Sequence, residues 1–259
     1  MLDRRQKQTF AEQGYVVVPR AVPRGAVDAA RREVRRLLTR EPPPPGHAGP
    51  HFYFLDDAPA PLRDLLSAGP ALAAAESLVE PGRFEPPEHV QVSLNIPPFD
   101  HRPGGPHIDG LAPPEPSGRP GTFSLLAGVF LTDQTLENAG NLWVWPGSHL
   151  SAARYFRERG ADALASSAPY PPVELSDPRQ VTGRAGDLLL AHYMLGHNIG
   201  GNTSAAVREV VYFRLRREGH RGRWREYLRD PLLEFGPARA ACGEAADSRP
   251  SRPGTPSSD

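Results

Sequence analysis

Apolar positions repeat with a helical period in the first part of the chain. Between residues 25 and 40 they fall on one face of a predicted amphipathic helix: Val27, Ala30, Val34, Leu37 and Leu38. The proline run at 42–45 ends this helix, because consecutive prolines cannot continue one. A second helix is predicted around residues 61–79. The β-branched run at 15–19 is predicted to be a short strand.

From about residue 89 the period shortens. Runs rich in β-branched or aromatic residues, separated by proline and glycine, cover residues 89–96, 122–132, 141–145, 187–192 and 208–215. Strands at this spacing, with turn residues between them, are typical of an antiparallel sandwich or jelly roll. The sequence therefore predicts a mainly β fold, with α-helices flanking it on the N-terminal side.

One domain accounts for most of the 259 residues. We expect it to span residues 1–236, with its β core at about 86–216, because barrels of this kind commonly use such a length for one domain. The Pro/Gly-rich segment 97–121 is too long for a simple turn and is predicted to be a lid. Residues 237–259 are rich in Ala, Gly, Ser and Pro, which predicts a disordered tail.

Charge and composition exclude several classes of partner. Thirty basic and thirty acidic residues give a formal net charge of zero, which disfavours nucleic acid or an anionic membrane as the partner. The single cysteine, Cys242, excludes an internal disulfide and a thiolate zinc site. The charged N-terminus and the lack of long apolar stretches predict a soluble, cytoplasmic protein. Seven arginines at 214–229 predict a solvated amphipathic helix, with a phosphate-binding patch as the alternative.

Two histidines and an aspartate are the candidate metal ligands. His107 and Asp109 lie in GGPHIDG, where period-2 alternation places both side chains on one face. His197 follows ninety residues after His107, in GHNIGGN. Two imidazoles and one carboxylate on one side of a cation are the ligand set of non-haem Fe(II) oxygenases. The alternative is a surface His/Asp pair, and His149 and His192 are less favoured competitors as ligands.

Arg208 opens the apolar run REVVYFRL, eleven residues after His197. An arginine at the start of such a strand is costly to bury unless it pairs with an anion, and the adjacent Glu209 faces the other way. The planar guanidinium suits a dicarboxylate co-substrate. The alternative is an ion pair with a distant Asp or Glu.

Four stretches resemble the phytanoyl-CoA dioxygenase family of Fe(II)/2-oxoglutarate-dependent oxygenases. They are FAEQGYVVVPRAVP, GGPHIDG, ENAGNLWVWPGSH and GDLLLAHYMLGHNIGGNTSAAVREVVYFRL, which occur in the family's order across roughly residues 9–215. The resemblance implies a double-stranded β-helix, which is a cupin-like jelly roll. It also implies that His107, Asp109 and His197 bind iron and that Arg208 binds the far carboxylate of 2-oxoglutarate.

The resemblance leaves the remaining 2-oxoglutarate contacts open. Some family members carry a hydroxyl residue two positions after the distal histidine, where this chain has Ile199. Thr203 or Ser204, or Asn95 or Ser93 from the early strand, are the alternative contacts.

Fe(II), 2-oxoglutarate and O2 are the cofactors and co-substrates that the resemblance implies. The expected reaction is hydroxylation of a small-molecule substrate with release of succinate and CO2, and the presence of Asp109 favours it over halogenation. Three alternatives remain. They are a catalytically silent homologue, a cupin-type metal enzyme with other chemistry, and a nucleic-acid-binding protein that uses the arginines at 214–229. The sequence does not predict the oligomeric state.

Overall fold

Antiparallel strands and flanking helices make up the computed structural model, which describes residues 1–110 and 120–247. Within these ranges the helices are α1 (Arg4–Gln13), α2 (Arg24–Arg40), α3 (Ala60–Arg63), α4 (Ala71–Glu76), α5 (Ser148–Arg159), α6 (His220–Arg229) and α7 (Gly236–Asp247). The strands are β1 (Tyr15–Val18), β2 (Gly49–Leu55), β3 (Val90–Ile96), β4 (Leu125–Phe130), β5 (Leu142–Val144), β6 (Arg179–Gln180), β7 (Leu188–His192), β8 (His197–Ile199) and β9 (Arg208–Leu215).

The strands form two sheets. The larger has the order β1-β7-β4-β9-β3-β2 and the smaller has the order β6-β5-β8, with antiparallel neighbours in both. Side chains of the two sheets meet in one apolar core, where Leu142 and Val144 of β5 lie with Leu126 of β4 and Val210 of β9. This arrangement is a double-stranded β-helix, or jelly roll, flanked by N-terminal helices. The predicted fold class is confirmed.

Alternation along β9 divides the larger sheet into two faces. Val211 and Phe213 point to a core shared with the N-terminal helices, including Val34 of α2. Val210 and Tyr212 point to the other core, between the sheets. Because successive side chains of a strand point to opposite faces, one short sequence contributes to both cores. The inner face therefore carries the even-numbered residues of β9.

Most of the predicted elements are present. The helix predicted at 25–40 is α2, and the five predicted β runs contain β3, β4, β5, β7 and β9. The helix predicted around 61–79 is instead two short helices, α3 and α4, because Gly69-Pro70 separates them and Pro70 precedes the first residue of α4. Of the arginine-rich segment at 214–229, residues 220–229 form the predicted helix as α6, whereas Arg214 and Leu215 belong to β9.

Two strands extend the larger sheet beyond the predicted core of 86–216. β1 pairs with β7, and β2 pairs with β3 at the edge of the sheet. The sequence pattern predicted neither β2 nor α5. β2 carries Pro50 and follows a proline-rich run, and α5 begins directly after Pro146 and Gly147, which are typical turn residues. Residues 111–119 of the predicted lid lie outside the described residues.

The predicted disordered tail is wrong in its first part, since residues 237–247 belong to α7. This helix is anchored by apolar burial: Ala238 and Ala241 are buried, and the ring of the preceding Phe235 lies 4.9 Å from that of Phe10 in α1. Alanine has the highest helix propensity, so an alanine-rich composition is compatible with order once one face is covered. Residues 248–259 lie outside the described residues.

Candidate metal centre

A backbone contact brings the two distant halves of the candidate site together. His107 and His197 form an isolated antiparallel β-bridge, in which the backbone N–H of His107 donates to the carbonyl of His197 at 3.0 Å. The next residue, Ile108, donates to the carbonyl of Pro169. The segment that carries Asp109 is therefore fixed beside the start of β8, although ninety residues separate the histidines.

The three predicted ligand side chains converge. Asp109 Oδ1 lies 3.4 Å from His107 Nε2 and 3.8 Å from His197 Nε2, and one potential ligand atom from each residue lies within 4.8 Å of the others. Metal–ligand bonds of 2.0–2.2 Å are typical for such N and O donors. Two nitrogens and one carboxylate oxygen at these separations fit a divalent transition metal bound on one face.

Hydrogen bonding and burial prepare His197 as a ligand. Its Nδ1 lies 2.9 Å from the carbonyl of Leu195, so Nδ1 carries the proton and donates it, which leaves a lone pair on Nε2. Burial, followed by the nearby charge of His107, lowers the pKa of His197 to about 4. The imidazole is therefore neutral at pH 7, as metal ligation requires.

Asp109 is ionised. Burial alone would raise the pKa of its carboxyl group, but the hydrogen bond from His107, the charge that His197 carries when it is protonated at low pH, and the charge of Arg214 outweigh this effect and hold the pKa well below its ordinary value. The centre thus presents one carboxylate and neutral imidazole to the same point. This is the charge distribution that a divalent cation requires.

A cavity adjoins the three ligands. Its lining combines the candidate ligands, polar groups of β3 and β9, and apolar side chains from both sheets: Phe52, Gln91, Ser93, His107, Asp109, Leu126, Leu142, His197, Ile199, Arg208, Tyr212 and Arg214. Sequence reasoning predicted five of these as site residues. The cavity places all five in one continuous space.

Arg208 contributes a buried cation to the cavity. Its side chain donates to Gln134 Oε1 at 3.2 Å, Ser93 Oγ at 2.9 Å and Tyr212 Oη at 2.6 Å, and the residue is 2% exposed. All three acceptors are neutral. Within the described ranges no Asp or Glu forms an ion pair with Arg208, so the predicted alternative of a distant acidic partner is not found there. A buried cation held by neutral groups favours an anionic ligand.

The other predicted 2-oxoglutarate contacts separate into two groups. Ser93 lines the cavity and accepts from Arg208. Asn95 is Arg208's partner in the β3–β9 register, but it does not line the cavity, and its Nδ2 donates to the carbonyl of Gly200. Thr203 is exposed and contacts the carbonyl of Asn138, so the structure does not bring this predicted contact to the cavity.

Neither competing histidine lies at the centre. His192 accepts from the backbone N–H of Met194 through Nδ1, and its Nε2 lies 2.8 Å from the carbonyl of Pro231. His149 Nε2 lies 3.1 Å from the carbonyl of Ala11. Burial, the largest cause in each case, lowers the pKa of His149 to about 4 and that of His192 well below its ordinary value. Both are neutral, structural histidines.

Sequence reasoning missed several functional groups of the cavity. Period-2 alternation along REVVYFRL places Tyr212 and Arg214 on the same face as Arg208, and this alternation was a sufficient signal to assign them to the site. Gln91 required the β3–β9 register, which pairs it with Tyr212. Gln134 is outside any strand, and nothing in the sequence linked it to Arg208.

Several solved structures have a similar fold. HygX from Streptomyces hygroscopicus, solved with nickel and 2-oxoglutarate bound, is 20% identical with a TM-score of 0.55, covering 82% of this chain and 86% of HygX. The epimerase SnoN from nogalamycin biosynthesis is 24% identical with a TM-score of 0.55, covering 81% of this chain and 80% of SnoN. The carbocyclase SnoK from the same biosynthesis is 23% identical with a TM-score of 0.51, covering 86% of this chain and 90% of SnoK. These similarities establish the fold.

The family is established by a separate comparison. No curated protein matches the chain significantly. The family model for phytanoyl-CoA dioxygenase (PhyH), in contrast, matches residues 10–210, which include all three converging ligands and Arg208. This match covers well over half of the chain, and the fold agrees with it. The chain therefore belongs to the phytanoyl-CoA dioxygenase (PhyH) family of Fe(II)/2-oxoglutarate-dependent oxygenases.

Proposed function

We propose that this protein is an Fe(II)- and 2-oxoglutarate-dependent dioxygenase that hydroxylates a small-molecule substrate and releases succinate and CO2. The observation that carries the proposal is Arg208, a buried guanidinium with neutral partners in the same cavity as three converging metal ligands. A metal enzyme without a dicarboxylate co-substrate would have no use for this cation. The alternative of a cupin-type enzyme with other chemistry is therefore disfavoured.

His107, Asp109 and His197 would hold the iron. Bound Fe(II), together with 2-oxoglutarate and O2, supplies the oxidising chemistry that converts 2-oxoglutarate to succinate and CO2 and oxidises the substrate. The protein contributes three ligands from two segments that the backbone bridge fixes beside each other. The hydrogen bond from His197 Nδ1 to Leu195 holds that imidazole in the tautomer that binds through Nε2.

Arg208 would bind the C5 carboxylate of 2-oxoglutarate through charge-assisted hydrogen bonds. The hydroxyl groups of Ser93 and Tyr212 accept hydrogen bonds from the guanidinium, so each keeps its own proton to donate to the same carboxylate. One cation and two hydroxyl donors would then surround the carboxylate. Burial strengthens each of these interactions, since little water competes with them.

The substrate would be a small molecule with an apolar portion. Apolar side chains on the cavity wall, namely those of Phe52, Leu126, Leu142 and Ile199, favour such a ligand. Structures of HygX with hygromycin B and of SnoN with nogalamycin RO show small-molecule ligands in proteins of this fold. The zero net charge supports no role for nucleic acid. No helix in the described ranges is long and apolar enough to cross a bilayer.

A second outcome of the same oxidation is epimerisation or ring closure. SnoN is an epimerase and SnoK a carbocyclase, and both share the fold. Both outcomes would consume 2-oxoglutarate and O2, so they would use the same metal ligands and the same arginine. Hydroxylation adds one oxygen atom to the product and ring closure removes two hydrogen atoms. Epimerisation leaves the mass unchanged, so ascorbate would have to supply the two electrons that the substrate does not.

Turnover with a panel of candidate small molecules tests the proposal. Purified protein, Fe(II), ascorbate, 2-oxoglutarate and O2 are incubated with each compound, and succinate and product masses are measured. We expect succinate above the level of a His197→Ala control, with a product heavier by one oxygen atom. Succinate with a product of unchanged mass would replace hydroxylation by epimerisation. If no compound raised succinate above the control, the silent-homologue alternative would be favoured.

A further inference from the structure

We infer that Arg214 is a positioning residue for the metal centre: it holds one carboxylate oxygen of Asp109 and so presents the other oxygen alone to the metal. This inference rests on the proposed function. Arg214 would act through Asp109 and has no need to contact the metal, the co-substrate or the substrate.

The two oxygens of Asp109 have different partners. Oδ2 accepts from Arg214 Nη2 at 2.7 Å and from Arg214 Nε at 3.2 Å. Oδ1 faces the Nε2 atoms of His107 and His197, at 3.4 and 3.8 Å. Both side chains of the Arg214–Asp109 pair are only 17% exposed, so water competes weakly for these bonds. The carboxylate is thereby fixed about its side-chain torsion, with Oδ1 directed at the histidines.

The fold supplies Arg214 independently of the segment that it holds. Arg214 lies on β9, on the same inner face as Arg208, and pairs with Leu126 of β4 in the centre of the larger sheet. Its guanidinium carbon lies 5.9 Å from the centre of the Phe123 ring. Asp109, in contrast, lies in a loop outside the named strands. A central strand of the sheet therefore orients the carboxylate of a ligand whose backbone lies in a loop.

Holding Oδ2 also limits how many metal positions Asp109 can occupy. An octahedral metal has six positions, and a facial set of three ligands leaves three of them open. Binding of 2-oxoglutarate and O2 would require these open positions. A carboxylate that bound through both oxygens would occupy one of these positions. The arginine prevents this by engaging Oδ2 through two N–H groups.

Substitution of Arg214 distinguishes a role in orienting Asp109 from a purely electrostatic effect on metal binding. Removing a cation next to a metal site would tighten metal binding if charge repulsion were its only effect. Removing a group that orients a ligand weakens binding, typically by about 10–100-fold for an outer partner of a metal ligand. We therefore expect the Kd for Fe(II), measured anaerobically by competition with a chromogenic chelator, to rise in Arg214→Met by about 10–100-fold. Arg214→Lys, which keeps the charge but only a compact ammonium, should be intermediate.

Arg31→Met is the matched control. Arg31 Nε donates to Glu209 Oε2 at 3.1 Å, so this variant also removes an arginine–carboxylate pair on β9, but on the opposite face of the sheet. It should lose stability without a change in Fe(II) affinity. Thermal unfolding of all variants identifies any that fail to fold. If Arg214→Met does not fold, the Fe(II) affinity of Arg214→Lys alone tests the inference.

A spectroscopic readout completes the test. Wild-type protein is loaded with Fe(II) and 2-oxoglutarate without O2, and the maximum of the charge-transfer band is compared with those of folded Arg214 variants. We expect the maximum to shift, because the ligation by Asp109 changes. Unchanged or tighter Fe(II) binding together with an unshifted band would overturn the inference. Failure of the wild type itself to form the band would instead contradict the proposed function.

Discussion

The protein buries histidines in two regions, and their hydrogen bonds differ. In the metal centre, His197 donates from Nδ1 to the carbonyl of Leu195 and keeps Nε2 directed at the other ligands. Behind the larger sheet, His192 uses both ring nitrogens on the backbone, accepting from Met194 and lying 2.8 Å from the carbonyl of Pro231. Both are neutral at pH 7, because burial lowers the pKa of each.

The difference shows that burial and a lowered pKa do not identify a metal ligand. His149 is buried with a pKa lowered to about 4, as is His197, yet its Nε2 bonds to the carbonyl of Ala11. His149 Nδ1 is also buried without a hydrogen-bond partner among the described residues, so what separates His197 is that its Nε2 faces Asp109 and a second imidazole. A ligand is therefore recognised by what its second nitrogen faces.

Loss of His197 should have the largest effect on Fe(II) binding. In His197→Ala we expect the Kd for Fe(II) to rise by more than the 10–100-fold typical of an outer partner, because a ligand itself is removed. Anaerobic Fe(II) titration measures the change. The comparison would be wrong if this variant bound Fe(II) as tightly as the wild type.

Two arginines of the protein also differ in their partners. The partners of Arg208 are neutral, whereas Arg31 is paired with Glu209. Arg208→Ala should weaken 2-oxoglutarate binding by roughly 2–5 kcal/mol, the cost of losing a desolvated charged partner, and leave Fe(II) affinity nearly unchanged. Titration of Fe(II)-loaded protein with 2-oxoglutarate measures this. Equal co-substrate affinity in the variant and the wild type would remove Arg208 from the site.

His192→Asn sharpens the contrast from the structural side. Loss of a buried hydrogen-bonding group should lower the free energy of unfolding by about 1–3 kcal/mol. Fe(II) affinity of the folded protein should stay unchanged, since His192 lies outside the cavity lining. Urea denaturation and Fe(II) titration give the two values. A folded variant that has lost Fe(II) binding would contradict the structural role.

Mild acid should destabilise the metal-free protein through both regions. His149 and His197 have native pKa values of about 4, below the roughly 6.5 of an unfolded chain. The unfolded state then binds more protons, so stability is complete above about pH 6.5 and falls as the pH drops toward 4. At pH 5.5 the contribution of each histidine to the free energy of unfolding would be about 1.4 kcal/mol lower. Urea denaturation at pH 7.5 and 5.5 tests this, and a His149→Gln variant should lose less. Equal stability at both pH values would contradict the buried neutral state.

The sequence predicted the parts of the fold that carry a regular period. α2 has a clear 3.6-residue period, and β3, β4, β7 and β9 lie in short, mainly apolar runs bounded by turn residues, so all of them were predicted. β2 was missed because it is an edge strand that carries Pro50 and leaves Phe52 and Phe54 exposed at 42% and 60%. α7 was missed because its order depends on packing against α1, which composition does not reveal.

The site was predicted to the extent that its chemistry lies in short motifs. His107, Asp109, His197 and Arg208 each have a recognisable type and spacing, and the structure places them in one cavity. The partners that support them depend on strand register and on side-chain direction. Arg214 reaches Asp109 across 105 positions of sequence, which only the assembled sheet determines.

An anaerobic optical titration shows whether this centre binds iron and 2-oxoglutarate together. Metal-free protein receives Fe(II) and then 2-oxoglutarate, and the visible metal-to-ligand charge-transfer band of the chelated co-substrate is recorded. We expect the band to form, to saturate at one 2-oxoglutarate per iron and to be absent in His197→Ala. Iron that is demonstrably bound without any such band on addition of 2-oxoglutarate would contradict this expectation.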